Sequence, residues 1–144
     1  MPMDLEVVAH STDRPLPSPN PFSIPFWEAT KRHELRLQRC DDCSTVRYYP
    51  RPRCPNCMSG NATWDLMSGK GSVYSFTLVH RPLSRWFREH MPVVVAIVEL
   101  DEGVRMMSNV VDCDAESVHI GMRLEVTWDD VDDVITLPKF VPAK

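Results

Sequence analysis

Four cysteines are the residues of this sequence whose types and spacing most clearly predict chemistry. They form two Cys-x-x-Cys pairs, Cys40 with Cys43 and Cys54 with Cys57, separated by ten residues. Thiolates are soft ligands, and a tetrahedral Zn²⁺ in a closed structural site takes four of them. Each pair places two sulfurs on one turn, and the residues between the pairs can form a hairpin that brings the turns together. The spacing therefore predicts one Zn²⁺ bound by these four cysteines.

A redox dithiol is the main alternative for such pairs. A redox Cys-x-x-Cys normally precedes a helix in a βαβ pattern, whereas short alternating strand patterns flank both pairs here. Since four thiolates complete a tetrahedron, no position remains for water or substrate, and the zinc is predicted to be structural rather than catalytic. The negative charge of such a centre would be offset by nearby arginines, namely Arg39, Arg47, Arg51 and Arg53. The fifth cysteine, Cys113, is assigned no role.

The elements that must position these cysteines follow from changes in sequence period. Residues 1–24 are rich in alternating prolines and predict an extended segment, either a tail or an arm that lies on a partner. A short helix from Pro25 and period-two strands around the cysteine pairs predict a helix plus zinc ribbon over residues 25–68. Five short strand patterns then predict a small β-barrel or sandwich over residues 69–144, with the last strand ending at Pro138. The OB-fold is a five-stranded barrel of about this size.

Composition and charge narrow the function classes. The 144 residues are 43% hydrophobic and 25% charged, as in an ordinary globular protein. The sequence shows no signal peptide and no apolar run of the ~20 residues needed for a membrane span, which predicts a cytoplasmic protein without membrane contact. Residues 31–53 carry seven basic side chains against three acidic ones, whereas residues 99–133 carry eleven acidic against two basic. The acidic half argues against a surface that follows nucleic-acid phosphates.

The strongest candidates for ligand contact lie in the segment "HRPLSRWFREHMP". Arginines can bind an anionic ligand, and the aromatic residues between them can stack on a ring of that ligand or pack on a partner protein. An ordinary loop with solvated charges is the alternative. The candidate residues for contact with such a ligand or a partner are Lys70, Arg81, Arg85, Trp86, Phe87 and Arg88. No glycine-rich phosphate loop or nucleophile elbow is found, so no catalytic residues are expected.

The order of several motifs resembles the DUF35 family across residues 21–142. These motifs are "PFWEA", "LQRCDDC", "YYPRPRCPNC", "GSVYSFTLVHRP", "VAIVELDEGVRMMSNVV", "IGMRLEVTW" and "LPKFVP". Ser44 and Met58 depart from the family pattern, since they stand where a glycine is common. The resemblance implies an N-terminal helix, a rubredoxin-like zinc ribbon and a C-terminal OB-fold. It also implies that the protein is an accessory subunit of a thiolase-superfamily protein, which supplies the catalytic residues while the small subunit helps to form the acyl-CoA site. The ligand of the candidate contact residues would then be acyl-CoA, with arginines on its phosphates and an aromatic ring on its adenine.

Three function classes therefore compete. The first is a non-catalytic accessory subunit of a thiolase, a lipid-transfer-protein-like aldolase or a hydroxymethylglutaryl-CoA synthase. The second is a single-stranded nucleic-acid-binding module, because zinc ribbons and OB-folds also bind nucleic acids and Tyr48, Tyr49 and Trp86 could stack on bases. The sequence pI of about 5.7 disfavours the second class. The third is a self-sufficient acyl-CoA carrier or hydrolase, of which the lack of a recognisable nucleophile disfavours the hydrolase.

Overall fold

The N-terminal part of the structure is an extended segment followed by a short helix. A computed structural model describes residues 14–144, and the rest of the predicted arm lies outside this range. Helix α1 (Ile24–Lys31) has Pro25 in its first turn, where the missing N–H has no helical partner. The helix ends before His33, which adopts a left-handed conformation with φ of 58°. Its apolar face is anchored by Phe26, which is fully buried.

A small antiparallel sheet carries the cysteine pairs. Its order is β2-β1-β3, with β1 (Arg36–Cys40) between β2 (Val46–Arg47) and β3 (Ala62–Leu66). Strand β2 has only two residues and ends before Tyr48 and Tyr49. The two tyrosines leave the sheet instead and pack on the ring of Phe26, at centroid distances of 6.1 and 6.0 Å. Burial of these rings against α1 outweighs their preference for an extended strand.

Five further strands form the second sheet. Its elements are β4 (Lys70–Val79), helix α2 (Arg85–Arg88), β5 (Val93–Leu100), β6 (Arg105–Asn109), a 3₁₀ turn (Ala115–Ser117), β7 (Arg123–Asp130) and β8 (Thr136–Pro142). The strand order is β6-β5-β4-β7-β8, and a parallel bridge between Val110 and Phe140 joins the two outer strands. This bridge nearly closes the sheet into a barrel. The mainly β prediction, with a helix, a ribbon and a five-stranded OB-fold, is confirmed, and the barrel rather than the sandwich is observed.

The prediction that the last strand ends at Pro138 is wrong. Strand β8 continues to Pro142, and Pro138 pairs with Trp128 in the ladder. The Pro138 carbonyl also accepts a hydrogen bond from the Ser108 hydroxyl at 2.7 Å. Proline is tolerated in an edge strand, where a missing N–H need not interrupt a ladder on both sides. A proline in this sequence therefore marks the sheet edge rather than the strand end.

The connection from the ribbon to the barrel depends on two glycines. Gly69 has a positive φ of 75°, and its carbonyl accepts a hydrogen bond from the Val126 N–H at 2.7 Å. Gly71 lies so close to β5 that a Cβ atom there would be 2.4 Å from the Glu99 carbonyl oxygen. The backbone can make this approach only because Gly71 has no side chain. A domain boundary between residues 68 and 69 remains a prediction.

The ribbon and the barrel share one hydrophobic core. Phe26, Leu35 and Leu37 belong to the same buried cluster as Leu124 and Phe140 of the barrel. The imidazole of His33 also stacks on Trp128, with parallel ring planes and centroids 5.5 Å apart. Its Nε2 lies 2.9 Å from the carboxylate of Asp130, and this contact holds the Asp130 pKa below its usual range. Helix α1 is therefore fixed to the barrel by both packing and polar contacts.

Helices α1 and α2 have eight and four residues. Across residues 14–144, no helix has the length and apolar character that a membrane crossing requires.

Candidate functional site

The two cysteine pairs fold as repeated turns with the same backbone pattern. The N–H of Ser44 donates to the Cys40 carbonyl, and the N–H of Met58 donates to the Cys54 carbonyl, both at 2.9 Å. Ser44 and Met58 have positive φ values of 65° and 66°. These are the positions where a glycine was expected, and both side chains accept the left-handed conformation that glycine adopts more easily. The departure from glycine therefore leaves the turn geometry intact.

The four sulfurs lie where a tetrahedral cation would bind them. All four Sγ atoms are within 4.8 Å of one another. The Cys40 and Cys57 sulfurs are 3.5 Å apart, and those of Cys43 and Cys54 are 3.6 Å apart. A tetrahedron with metal–sulfur bonds of ~2.3 Å has sulfur–sulfur edges of about 3.8 Å. The donor set therefore fits one metal ion with four thiolate ligands.

The pKa values of the cysteine thiols explain why a cation would stabilise this cluster. Hydrogen bonds from Asn56 and Thr45 lower the pKa of Cys43 to about 5, which favours a thiolate at that position. A backbone hydrogen bond from Ser59 favours the Cys57 thiolate, but the neighbouring sulfurs outweigh it and raise the pKa of Cys57 to about 12. Four crowded sulfurs cannot all carry negative charge by themselves. A divalent cation removes this repulsion and deprotonates its thiol ligands.

Two of the nearby arginines support the two turns. Arg39 donates to the Ser44 carbonyl at 3.1 Å, and Arg53 donates to the Met58 carbonyl at 3.2 Å. Each guanidinium thus contacts the left-handed residue of one cysteine turn. Arg47 is buried, and its Nη1 has no hydrogen-bond partner in the part of the chain that the structure describes. A buried cation is favoured by an anionic centre in the same small sheet.

The structure brings five of the six predicted contact residues together. Arg85, Trp86, Phe87 and Arg88 form α2, and Arg81 lies in the same segment between β4 and β5. The three arginines are exposed, whereas the two aromatic side chains are half-buried. Lys70 is not part of this group. It begins β4 while the segment follows the end of β4, ten residues or roughly 30 Å of strand away.

The aromatic residues that could stack on bases are engaged within the protein. Burial raises the pKa of Tyr48 to about 12, and the Tyr49 hydroxyl accepts a hydrogen bond from Trp27 Nε1 at 3.2 Å. The Trp86 ring stacks on His90 with centroids 3.7 Å apart, and the Arg14 guanidinium lies 4.3 Å from its centroid. These contacts leave the aromatic platform of a nucleic-acid-binding module unformed.

The structure also contains a cavity that sequence reasoning missed. Its volume is about 470 Å³, and it lies between the segment from Arg14 to Pro17, helix α2 and the barrel wall. Its polar lining includes Lys139, Asn109 and Asp129, which come from three different strands. One sequence signal could have indicated it: Lys139 is the only charged residue of the strand "TLPKFVP". Cys113, which had no assigned role, also lines this cavity.

Comparison with known proteins gives matches over nearly the whole chain. The family described as ChsH2, rubredoxin-like zinc ribbon domain, matches residues 27–62, and the family described as ChsH2, C-terminal OB-fold domain, matches residues 64–129. A DUF35 domain-containing scaffold protein of Methanocaldococcus jannaschii is 40% identical over 126 residues, which cover 82% of this chain and 89% of that protein. A chain in the solved structure described as the Ltp2-ChsH2(DUF35) aldolase is 39% identical, with a TM-score of 0.80, and the match covers 90% of this chain and all of that one.

Some relatives are considerably longer. A probable enoyl-CoA hydratase alpha subunit of Thermomonospora curvata is 41% identical over 132 residues, which are 90% of this chain but 40% of that protein. This chain therefore spans about two fifths of the length of that hydratase subunit.

Proposed function

Because the chain belongs to the DUF35 family, we propose that it is a non-catalytic accessory subunit that binds a thiolase-superfamily protein and helps to form or stabilise its acyl-CoA site. One observation carries this proposal: the chain matches the full length of the DUF35 chain in the Ltp2-ChsH2(DUF35) aldolase at 39% identity. At this level of identity, the surface that meets a partner subunit is expected to keep its general character. The proposed partner is a thiolase, a lipid-transfer-protein-like aldolase or a hydroxymethylglutaryl-CoA synthase.

The proposal includes one structural Zn²⁺ held by Cys40, Cys43, Cys54 and Cys57. Support comes from the four converging sulfurs and from the zinc-ribbon family that matches this region. Bound there, the ion would link β1 to the turn before β3 and so hold together a sheet with a two-residue strand. Small metal domains obtain much of their folding free energy from the ion. The ribbon then serves as a rigid base for α1.

The outer face of the barrel supplies a surface for the proposed partner. Strand β5 alternates buried and half-buried residues, and both sets are apolar along most of its length. Its outward Ile97 lies opposite Met107, which is 58% exposed, and Tyr74 nearby is 48% exposed. An antiparallel sheet usually has a polar outer face, so apolar residues there indicate coverage by another protein. We call Tyr74, Val95, Ile97 and Met107 the outer patch.

The outer patch continues into the segment that carries the predicted contacts. A smaller groove of about 100 Å³ is lined by Val95 of the patch together with Arg81, Leu83 and Phe87. Leu83 is 84% exposed, which is unusual for so large an apolar side chain. A partner seated on the patch would therefore also contact this segment. The exposed Arg81, Arg85 and Arg88 of this segment would then meet the phosphates of a coenzyme A bound in the partner.

Co-expression with a thiolase-superfamily subunit tests the function. The expected result is co-elution of the two proteins in size-exclusion chromatography, with thiolase-type or aldolase activity in the complex only. Elution of this chain as a monomer beside every such subunit of its source genome would contradict the proposal. Salt-sensitive binding to single-stranded DNA in that case would favour the nucleic-acid alternative.

A substitution in the outer patch tests the surface separately. Met107→Asp should weaken partner binding about tenfold or more, because it places an unpaired charge in an apolar contact. Leu66→Asp is the matched control, since Leu66 is 57% exposed but lies on the ribbon sheet. If Met107→Asp forms the complex normally, the outer patch does not bind the partner, and the proposed accessory function is not affected.

A further inference from the structure

The cavity beside α2 has the features of a binding site for a small molecule. Its volume of about 470 Å³ falls in the range of roughly 300–1,000 Å³ typical of ligand pockets. It lies apart from the cysteine cluster, whose residues contribute nothing to its walls. Most of its lining is apolar, with the polar groups on a few side chains. The apolar walls include Pro15, Pro17, Trp86, Val111 and Ala115.

The polar groups of the cavity are held in place by contacts within the protein. The ammonium group of Lys139 donates to Asn109 Oδ1, and the side-chain nitrogen of Asn109 donates to the Val94 carbonyl at 2.9 Å. The Arg14 guanidinium donates to the Asp129 carboxylate at 2.8 Å. Lys139 therefore has a fixed position on the cavity wall, because its acceptor is itself anchored to β5. A pre-positioned cation in an apolar cavity is a feature of sites that recognise an anionic group.

Lys139 is also placed where its charge is costly. Burial, together with the nearby Arg14 guanidinium, lowers the pKa of Lys139 to about 8, although the negative charge of Asp129 opposes this shift. A carboxylate next to this amine would stabilise the charged form and restore the usual pKa. Burying a lysine in this way lowers the stability of the free protein, which is common at functional sites.

The charges of the lining select the class of anion. Arg14 and Lys139 bring two positive charges, and Asp112 and Asp129 bring two negative charges. A phosphate dianion would be repelled by the two carboxylates, whereas a single carboxylate adds one negative charge and can lie on the Lys139 side. The apolar walls, with Trp86 and the two prolines, suit a hydrocarbon chain or ring system.

We propose that this cavity binds an amphipathic monocarboxylate, with its apolar body against Trp86, Val111 and the proline segment and its carboxylate bound by the Lys139 ammonium group. The segment from Arg14 to Pro17 forms one wall, so the ligand would lie between this segment and the barrel. The site is separate from the outer patch, and the proposal does not rest on the identity of the partner protein.

Binding of dodecanoate to the full, metal-loaded chain tests this proposal by isothermal titration calorimetry, with dodecanol as the uncharged probe. Dodecanoate should bind at least about tenfold more tightly than dodecanol, because one charge-assisted hydrogen bond is worth about that factor. Lys139→Met should weaken dodecanoate binding by about the same factor and leave dodecanol binding unchanged. Lys70→Met is the matched control, since Lys70 is an exposed lysine at the far end of β4. The Lys70→Met variant should bind dodecanoate with the same affinity as the unmodified chain.

A second variant keeps the lysine and fills the cavity. Ala115→Trp should abolish binding of both probes while zinc content and thermal unfolding stay unchanged, because Ala115 lies in a turn at the cavity edge. Absence of dodecanoate binding to the unmodified chain at 1 mM (roughly the weak end of specific ligand binding) would overturn the proposal. Equal affinity for dodecanoate and dodecanol, or binding that Lys139→Met and Ala115→Trp leave unaltered, would also overturn it.

Discussion

The cysteine ribbon and the barrel cavity are two candidate sites that the chain builds in opposite ways. The four cysteines fall within residues 40–57, and each pair occupies a single turn. The cavity instead combines Arg14, Trp86, Asn109 and Lys139, which are distant in sequence and come together only when the barrel closes. A site made of local turns carries its geometry in its residue spacing. A site made by long-range packing has no comparable spacing, and only its individual unusual residues can indicate it.

Loss of one cysteine ligand should break the ribbon site most severely. Cys43→Ser removes one of the four proposed ligands, and metal binding supplies on the order of 10 kcal/mol in small zinc domains. We expect loss of the bound Zn²⁺ and a large fall in thermal stability, measured by native mass spectrometry and calorimetry. Cys113→Ser is the control, since Cys113 lies on the cavity wall and should change neither quantity. A Cys43→Ser protein that retains one Zn²⁺ and unfolds at the original temperature would refute the site.

Substitution of Gly71 should destabilise the barrel without changing the metal content. In Gly71→Ala the new methyl group would meet the Glu99 carbonyl at 2.4 Å, so β4 or β5 must shift. We expect a loss of about 3 kcal/mol in the free energy of unfolding, measured with urea, while the zinc content stays at one ion per chain. Gly60→Ala is the control, because its nearest neighbours would be 3.9 Å away. Equal stability of the two variants would show that the close approach of β4 to β5 is not required.

Removal of the cavity lysine should raise stability, in contrast to the first two changes. The Lys139 pKa is lowered from 10.5 to about 8 in the folded protein. Between pH 8 and pH 10.5 the unfolded chain binds more protons at Lys139 than the folded chain does, so the free energy of unfolding rises with pH in this window. Below pH 8 the buried charge destabilises the folded protein by its full amount. Lys139→Met should therefore increase the free energy of unfolding by about 2–3 kcal/mol at pH 7.

This gain should shrink as the pH rises through the window from about 8 to 10.5. Urea unfolding of Lys139→Met and of the unmodified chain at pH 7 and pH 10 measures the change. The same comparison with Lys70→Met, an exposed lysine, should show no gain at either pH. If the increase in the free energy of unfolding for Lys139→Met does not change with pH, it is caused by packing rather than by removal of the buried charge.

The smallest expected effect concerns the cysteine turns themselves. Met58 has a φ of 66° and a side chain that is 63% exposed, so replacing it with glycine relieves the left-handed strain and loses little packing. Met58→Gly should raise the free energy of unfolding by about 0.5 kcal/mol, after subtraction of the extra entropy of glycine in the unfolded chain. Met58→Ala keeps the strain and serves as the reference. If Met58→Gly is less stable than Met58→Ala, the left-handed turn does not limit the ribbon.

The fold was predictable from the sequence wherever local patterns dominate. The proline at the start of α1, the period-two strands and the cysteine spacing each reflect contacts within a few residues. The errors arose where distant contacts prevail. Strand β2 ends early because Tyr48 and Tyr49 pack on Phe26, and β8 runs through Pro138 because it lies at the edge of the sheet. Likewise, Lys70 was grouped with α2 by charge, although strand β4 separates them.

The sequence by itself therefore determined the cluster of four cysteines, the helix–ribbon–barrel order and the family, because turn chemistry and hydrophobic period are local properties of a chain. The tertiary structure decided which outer face stays apolar, where the loop arginines lie and that a cavity exists beside Lys139. These features depend on how β4 crosses β5 at Gly71 and how the bridge between Val110 and Phe140 closes the barrel. Closure brings residues that are 125 positions apart, Arg14 and Lys139, into one cavity, and no spacing along the chain encodes that approach.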